Sequence, residues 1–202
     1  MSVKKFRKAL ATVAAVAMLA GSVASPMMSV SAGQVLGETG FEYKSLPWYT
    51  CESDPARQTF DIRDGAFHIG IIRAKGADGE KWDLQAKYSN LNLKKGHTYT
   101  VSFKAKAKRA GMELCSKIGN IKGDEEFFVL NETKMITGPH MGGQWGKAAK
   151  LTTEYQEFTG TFTPTKDIKA AEWRMQYAKG TLFEGNAQDG DEIWFDDMSI
   201  IC

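Results

Sequence analysis

The amino-acid sequence predicts an all-β protein, an antiparallel β-sandwich of jelly-roll type folded as a single domain. From residue 33 onward, roughly ten short runs rich in Val, Ile, Thr, Phe, Tyr and Trp follow one another. Apolar and polar side chains alternate within them, the period of a half-buried strand, and no window of about 12 residues carries a helical apolar stripe. Gly-, Asp- and Lys-rich turns separate the runs, as in a sandwich or jelly roll.

The first segment stands outside this pattern. Lys4, Lys5, Arg7 and Lys8 precede the apolar stretch Ala9 to Ala20, and Val30-Ser31-Ala32 offers a small-residue cleavage site before Gly33. That order marks residues 1–32 as a secretory signal peptide and the product as secreted. The apolar stretch is about a dozen residues, short of the roughly 20 that span a bilayer, so no membrane insertion is expected. Residues 33–202 then form the domain, long enough for one sizeable core. Loss of those four basic residues takes the formal net charge from +2 to −2. A mildly acidic chain without a basic stripe is a poor nucleic-acid binder, since that affinity comes mainly from phosphate neutralisation.

Along the domain, Gln58 to Ile62 and Ala66 to Ile72 flank Arg63-Asp64-Gly65, where Asp-Gly predicts a tight hairpin. Trp82 to Tyr88 reads as the next strand, followed by a turn at Lys94-Lys95-Gly96 and a strand from Thr98 to Ala107. Further strands are read at Gly111 to Ile118, Glu126 to Leu130, Tyr155 to Thr163, Ala171 to Ala178 and Glu192 to Ile201. Alternation assigns the faces. Trp82, Leu84, Ala86 and Tyr88 share one face, with Asp83, Gln85 and Lys87 on the other. Likewise Trp173, Met175 and Tyr177 oppose Arg174 and Gln176. Trp82 and Trp173 are accordingly read as core residues.

Three cysteines remain in the domain. Cys115, in the apolar run from Met112, reads as a core thiol. Cys51 and Cys202 lie near opposite ends, where a disulfide is permitted by export but not required.

Candidate ligand contacts come from residue type and placement. Gln85 and Gln176 project from the polar faces of strands expected in one sheet, and an amide both donates and accepts hydrogen bonds, as sugar hydroxyls demand. Asp83 and Arg174 share those faces and suit either a sugar or each other. Trp48 and Tyr49 follow Pro47 in a turn-like stretch and read as stacking platforms, or else as a plug for the end of the sandwich. Trp145 lies in a long glycine-rich loop, a setting that is often functional. Asp196 and Asp197 are adjacent, so one is expected to face the buried side, where an unpaired carboxylate is costly. A bound Ca²⁺ would remove that cost; a hydrogen-bonded turn or a lysine salt bridge is the alternative.

Four segments together carry a family likeness. Lys81 to Gln85, Leu93 to Ala107, Leu151 to Thr163 and Glu192 to Ile201 resemble, in order, the strand motifs of carbohydrate-binding modules of the family 4, 9 and 22 group. Gly40 to Trp48 further resembles modules attached to cellulases of gut and rumen anaerobes. The resemblance implies a β-sandwich that binds a β-glucan or xylan chain and serves a catalytic glycoside hydrolase. It also implies a structural calcium near the first and last strands, with Glu42 beside Asp196 and Asp197.

Two other classes compete. A jelly-roll glycoside hydrolase needs two carboxyl groups about 5–5.5 or 6.5–9.5 Å apart. Glu192 and Asp196 share a strand face, but four residues along a strand place their Cα atoms about 13 Å apart. An envelope structural or adhesion domain without sugar specificity is the third class; a polar face lacking reachable aromatics would favour it.

Overall fold

The structure, a computed structural model, describes residues 33–36, 40–42, 47–120, 125–130, 133–137 and 148–202. The segment 1–32 read as a signal peptide and the candidate Trp145 lie outside the described residues.

Among the described residues there are twelve strands and no α-helix. The strands are β1 (Tyr49–Glu52), β2 (Arg57–Arg63), β3 (Ala66–Arg73), β4 (Leu84–Leu93), β5 (Tyr99–Ala107), β6 (Glu113–Gly119), β7 (Glu125–Val129), β8 (Thr133–Thr137), β9 (Ala149–Lys150), β10 (Gln156–Phe162), β11 (Ile168–Gln176) and β12 (Glu192–Ile201). They form two antiparallel sheets. One runs β1-β4-β11-β6-β7-β8 with β9 paired to β6; the other runs β10-β5-β12-β3-β2.

The core fills the space between the sheets with the apolar set that alternation picks out. Phe67, Ile69, Val101, Phe103, Ile193 and Phe195 from the five-stranded sheet meet Leu84, Ala86, Ile118, Trp173 and Met175 from the seven-stranded one. Phe103 packs edge-on against Trp173 at 5.7 Å between ring centroids. The β2–β3 hairpin forms at Asp64-Gly65, and both residues take positive φ, 54° and 73°. That is the turn whose twist matches the strands it joins.

Three local departures from the expected pattern matter for the site. First, residues 81–83 form a 3₁₀ turn rather than the start of β4. Asp83 sets the turn: its carboxylate accepts the Glu80 backbone N–H at 2.6 Å and pairs with Lys75 at 3.3 Å. The two-residue alternation therefore starts at Leu84, and Trp82 lies outside the core at 39% exposure. Second, Tyr49 begins a strand, β1, where a loop was expected. Third, β12 carries a bulge between Asp196 and Ser199, with Asp197 at φ 47°. The extra residue restores Met198 and Ile200 to the core and leaves neither carboxylate there.

All three cysteines are free thiols. Cys51 belongs to the seven-stranded sheet, whereas Cys202 follows β12 of the other and contacts His97 Nδ1 at 3.2 Å. Cys115 is buried as expected, but outside the main core, in a small cluster with Phe128.

Candidate functional site

Strand register turns the outer face of the seven-stranded sheet into three parallel rows of side chains. Cys51, Gln85, Gln176 and Cys115 lie opposite one another across β1, β4, β11 and β6. The next row runs Tyr49, Lys87, Arg174, Lys117 and Phe128. The third holds Glu172, Gly119 and Glu126. Inward-facing neighbours on the same strands, such as Ala86, Trp173, Met175 and Ile118, hold these rows in place by core packing.

The amide row is cross-linked. Gln85 Nε2 donates to the Trp82 carbonyl at 2.9 Å, and Gln176 Nε2 donates to Gln85 Oε1 at 3.3 Å. Gln85 thereby anchors the turn that presents Trp82. Gln176 is 5% exposed, and its Oε1 has no hydrogen-bond partner. An amide nitrogen carries two hydrogens, so each glutamine retains polar capacity for a ligand.

The charged rows interlock. Arg174 donates through Nη2 to Glu126 and lies 3.8 Å from Glu172. Glu172 also meets Lys87 at 3.7 Å, and Glu126 meets Lys117 at 3.9 Å. Burial pushes the Lys117 ammonium below the usual lysine range, with Glu126 working against that shift. Burial likewise pushes the Cys115 thiol up, opposed by the nearby charges of Lys81, Lys117 and Arg174.

The face is open at one side and closed at the other. Along β1 and β4, Tyr49 is 38% exposed, Trp82 39%, and Gln85, Lys87 and Ser89 are half-buried. Tyr49 is held by a 2.5 Å hydrogen bond between its hydroxyl and Ser89 Oγ. Toward β6 and β7, Arg174, Lys117, Glu126 and Phe128 are buried although they face away from the core. The accessible edge thus carries the Tyr49 ring with amides and charges, next to the turn that bears exposed Trp82, a chemistry that suits a pyranose, whose apolar ring faces are fringed by hydroxyls.

Residues 33–179 match the family model described as a carbohydrate binding domain. This chain belongs to that family. A curated relative, cellulose 1,4-beta-cellobiosidase of Acetivibrio thermocellus, is 28% identical over 165 residues, which is 77% of this chain but only 16% of the relative. Among solved structures, a CBM4 structure matches with a TM-score of 0.56 at 22% identity, covering 83% of this chain and 93% of that one. The CBM22-1 xylan-binding domain of Paenibacillus barcinonensis Xyn10C matches with a TM-score of 0.51 at 11% identity, covering 84% and 95%. These likenesses fix the carbohydrate-binding domain as a β-sandwich.

Within this carbohydrate-binding domain the expected contacts separate. Gln85, Gln176 and Arg174 converge on one outer face, with Tyr49 at its accessible edge. Trp48 is corrected from platform to core: it is 2% exposed and packs on Trp173 at 5.3 Å, Tyr88 at 5.7 Å and Phe67 at 6.2 Å. It joins the two sheets, since Phe67 belongs to one and the other two to its partner. Asp83 is corrected from ligand contact to turn cap, because its carboxylate is buried and already bound. Trp82, read as a core residue, is instead exposed, on the turn that Gln85 anchors. Extending the β4 alternation two residues too far hid it; the Asp three residues after Glu80, able to cap a short turn, was the available signal.

The calcium ligands expected by resemblance come together only in part. Glu42 lies against Gly65, and its charge is felt at Asp196, whose carboxyl is raised by burial and by the neighbouring Asp197 and Glu42. Asp197 instead pairs with Lys104 at 2.7 Å. Among the described residues no three His, Cys, Asp or Glu side chains gather closely enough to hold a metal. A hard cation beside Asp196 would need backbone carbonyls as well as Glu42 to complete its shell. Glu192, the first acid of the hydrolase alternative, is bound to His68 at 2.8 Å and to Lys108 at 2.7 Å.

Proposed function

We propose that this domain is a secreted, non-catalytic module that binds a β-linked plant polysaccharide and brings a glycoside hydrolase to its substrate. The carrying observation is the β1–β4 edge of the seven-stranded sheet, where exposed Tyr49 lies one row from the Gln85–Gln176 amide pair and Gln85 anchors the turn that carries exposed Trp82. Aromatic faces stack on pyranose rings, and the amides and Arg174 hydrogen-bond hydroxyls. The open edge accepts a chain laid across it, so the ligand is a soluble or amorphous β-1,4- or mixed-linked glucan, or a xylan. The cellobiosidase relative and the xylan-binding neighbour support both candidates and the link to a catalytic partner.

Calcium is proposed as a structural ion held by Glu42 and Asp196, acting on the stability of the five-stranded sheet and not on sugar contact.

Native affinity electrophoresis of residues 33–202 through gels containing β-glucan, xylan, mannan or no polysaccharide tests the binding reading. Retardation in the β-glucan or xylan gel is the expected result. Unaltered migration in all of these gels, with no pull-down on insoluble cellulose, overturns it.

A further inference from the structure

The middle row of the outer face carries an unusual charge arrangement. Lys87, Arg174 and Lys117 stand directly opposite one another on three adjacent strands. Like charges so placed repel, and natural sheets place opposite charges there instead. A fourth cation arrives from the 81–83 turn: Lys81 Nζ lies 5.9 Å from the Phe128 ring centroid, and Lys117 Nζ lies 6.0 Å from the same ring.

The described carboxylates on this face are Glu126, Glu172 and Glu113. Glu126 is shared by Arg174 and Lys117, and Glu172 by Arg174 and Lys87. Glu113 is turned to Thr181, accepting from its backbone N–H at 2.8 Å and its hydroxyl at 2.9 Å. Among the described residues, the charges felt around Cys115 and Lys117 include Lys81, Lys117 and Arg174 against Glu126. Arg174 is 2% exposed, and its Nε has no hydrogen-bond partner. A buried guanidinium donor left unpaired is costly, and a further acceptor on this face would remove the cost.

A neutral sugar hydroxyl would meet part of that need, but it brings no charge to the cation row. A carboxylate brings both. We propose that the glycan taken by this face is acidic, a β-linked chain bearing uronic-acid carboxylates, one of which seats on Lys87 at the open end of the cation row. Lys87, at the accessible end of the row beside Tyr49, receives the carboxylate, with Arg174 one strand further in. The inference rests on the proposed glycan-binding function and names its ligand class.

The test compares a xylan carrying glucuronic acid side groups with the same xylan after carboxyl reduction, which leaves the backbone unchanged. Carboxymethyl cellulose and hydroxyethyl cellulose form the matching glucan pair. Affinity electrophoresis of residues 33–202 should give about tenfold stronger binding to the carboxylated member of at least one pair, the effect of one retained charged hydrogen bond. Raising the salt concentration should erode that difference, since exposed charges are screened. Lys87→Met should abolish the difference, whereas Lys95→Met, the same charge change on a distant turn, should preserve it. Equal retardation by both members of each pair overturns the acidic-ligand inference and leaves glycan binding standing. Equal loss in Lys87→Met and Lys95→Met also overturns it, by reducing the preference to net charge. No retardation by any polymer overturns the proposed function and this inference with it.

Discussion

Gln85 and Gln176 face each other in register across β4 and β11, and the second donates its amide to the carbonyl of the first at 3.3 Å. The bond uses one hydrogen of Gln176 and leaves its own buried carbonyl without a partner. An unpaired buried acceptor normally costs about 1–3 kcal/mol, and a ligand donor that reached it would remove that cost. Replacing Gln176 with Met, similar in volume and lacking the orphan acceptor, is expected to weaken glycan binding roughly threefold to tenfold. Thermal melting should show no loss of stability. A lowered Tm with unchanged affinity would assign Gln176 to the fold.

The two tryptophans nearest the β1–β4 edge should respond in opposite ways. Trp82→Ala removes an exposed ring and is expected to cost about tenfold or more in affinity with little change in melting temperature. Trp48→Ala removes a ring that packs on both sheets and is expected to cost about 3–5 kcal/mol of stability. Isothermal titration with a cello- or xylo-oligosaccharide, paired with urea unfolding, separates the two. An unfolded Trp82 variant, or a stable Trp48 variant that fails only in binding, would reverse the assignment.

What could be read from the sequence follows the reach of alternation. Strand faces from β4 and β11 gave the core positions and put Gln85 and Gln176 on the polar side, because period two is a local property of the chain; that the two meet in register is a long-range pairing that alternation does not encode. The reading failed where one or two residues broke the period. The 3₁₀ turn at 81–83 moved Trp82 outward and Asp83 inward, and the β12 bulge turned Asp196 and Asp197 both away from the core. Trp48 was misread for a different reason: its burial depends on Phe67, Tyr88 and Trp173, which are distant in sequence. Local patterning does not encode such contacts.

Acid sensitivity should originate on the opposite sheet. His68 is bracketed by Asp61 at 2.6 Å and Glu192 at 2.8 Å, with Arg63 and Lys108 also on Glu192. Burial raises the Asp61 carboxyl, but hydrogen bonding to His68 and the charges of His68 and Arg63 outweigh it and hold it below its usual value. The Lys108 hydrogen bond, aided by His68, holds Glu192 low against its burial. Carboxyls lowered on folding stabilise the native state above their unfolded values of about 4, and that stabilisation is lost as pH falls through the folded values. Urea midpoints should therefore be level above about pH 5 and drop below pH 4. Glu192→Gln should lose stability at neutral pH and show a shallower acid limb. An acid limb identical to the parent's would remove Glu192 from the account.

Calcium, if it is held by the Glu42–Asp196 pair, has a signature distinct from that of the sugar. Burial and the neighbouring negative charges raise the Asp196 carboxyl, and a divalent ion bound there would relieve that cost, stabilising the folded state by mass action. Adding calcium to chelator-treated protein should raise the melting temperature, and Asp196→Asn should remove the response. Asp197→Asn should keep it, because that carboxylate is engaged by Lys104 at 2.7 Å. Glycan affinity should be the same with calcium and with chelator, since the bulge lies on the five-stranded sheet and the aromatic edge on the other. Scanning calorimetry with and without calcium decides the matter: an unmoved melting temperature in the parent protein discards the ion, and a response retained in Asp196→Asn discards the site.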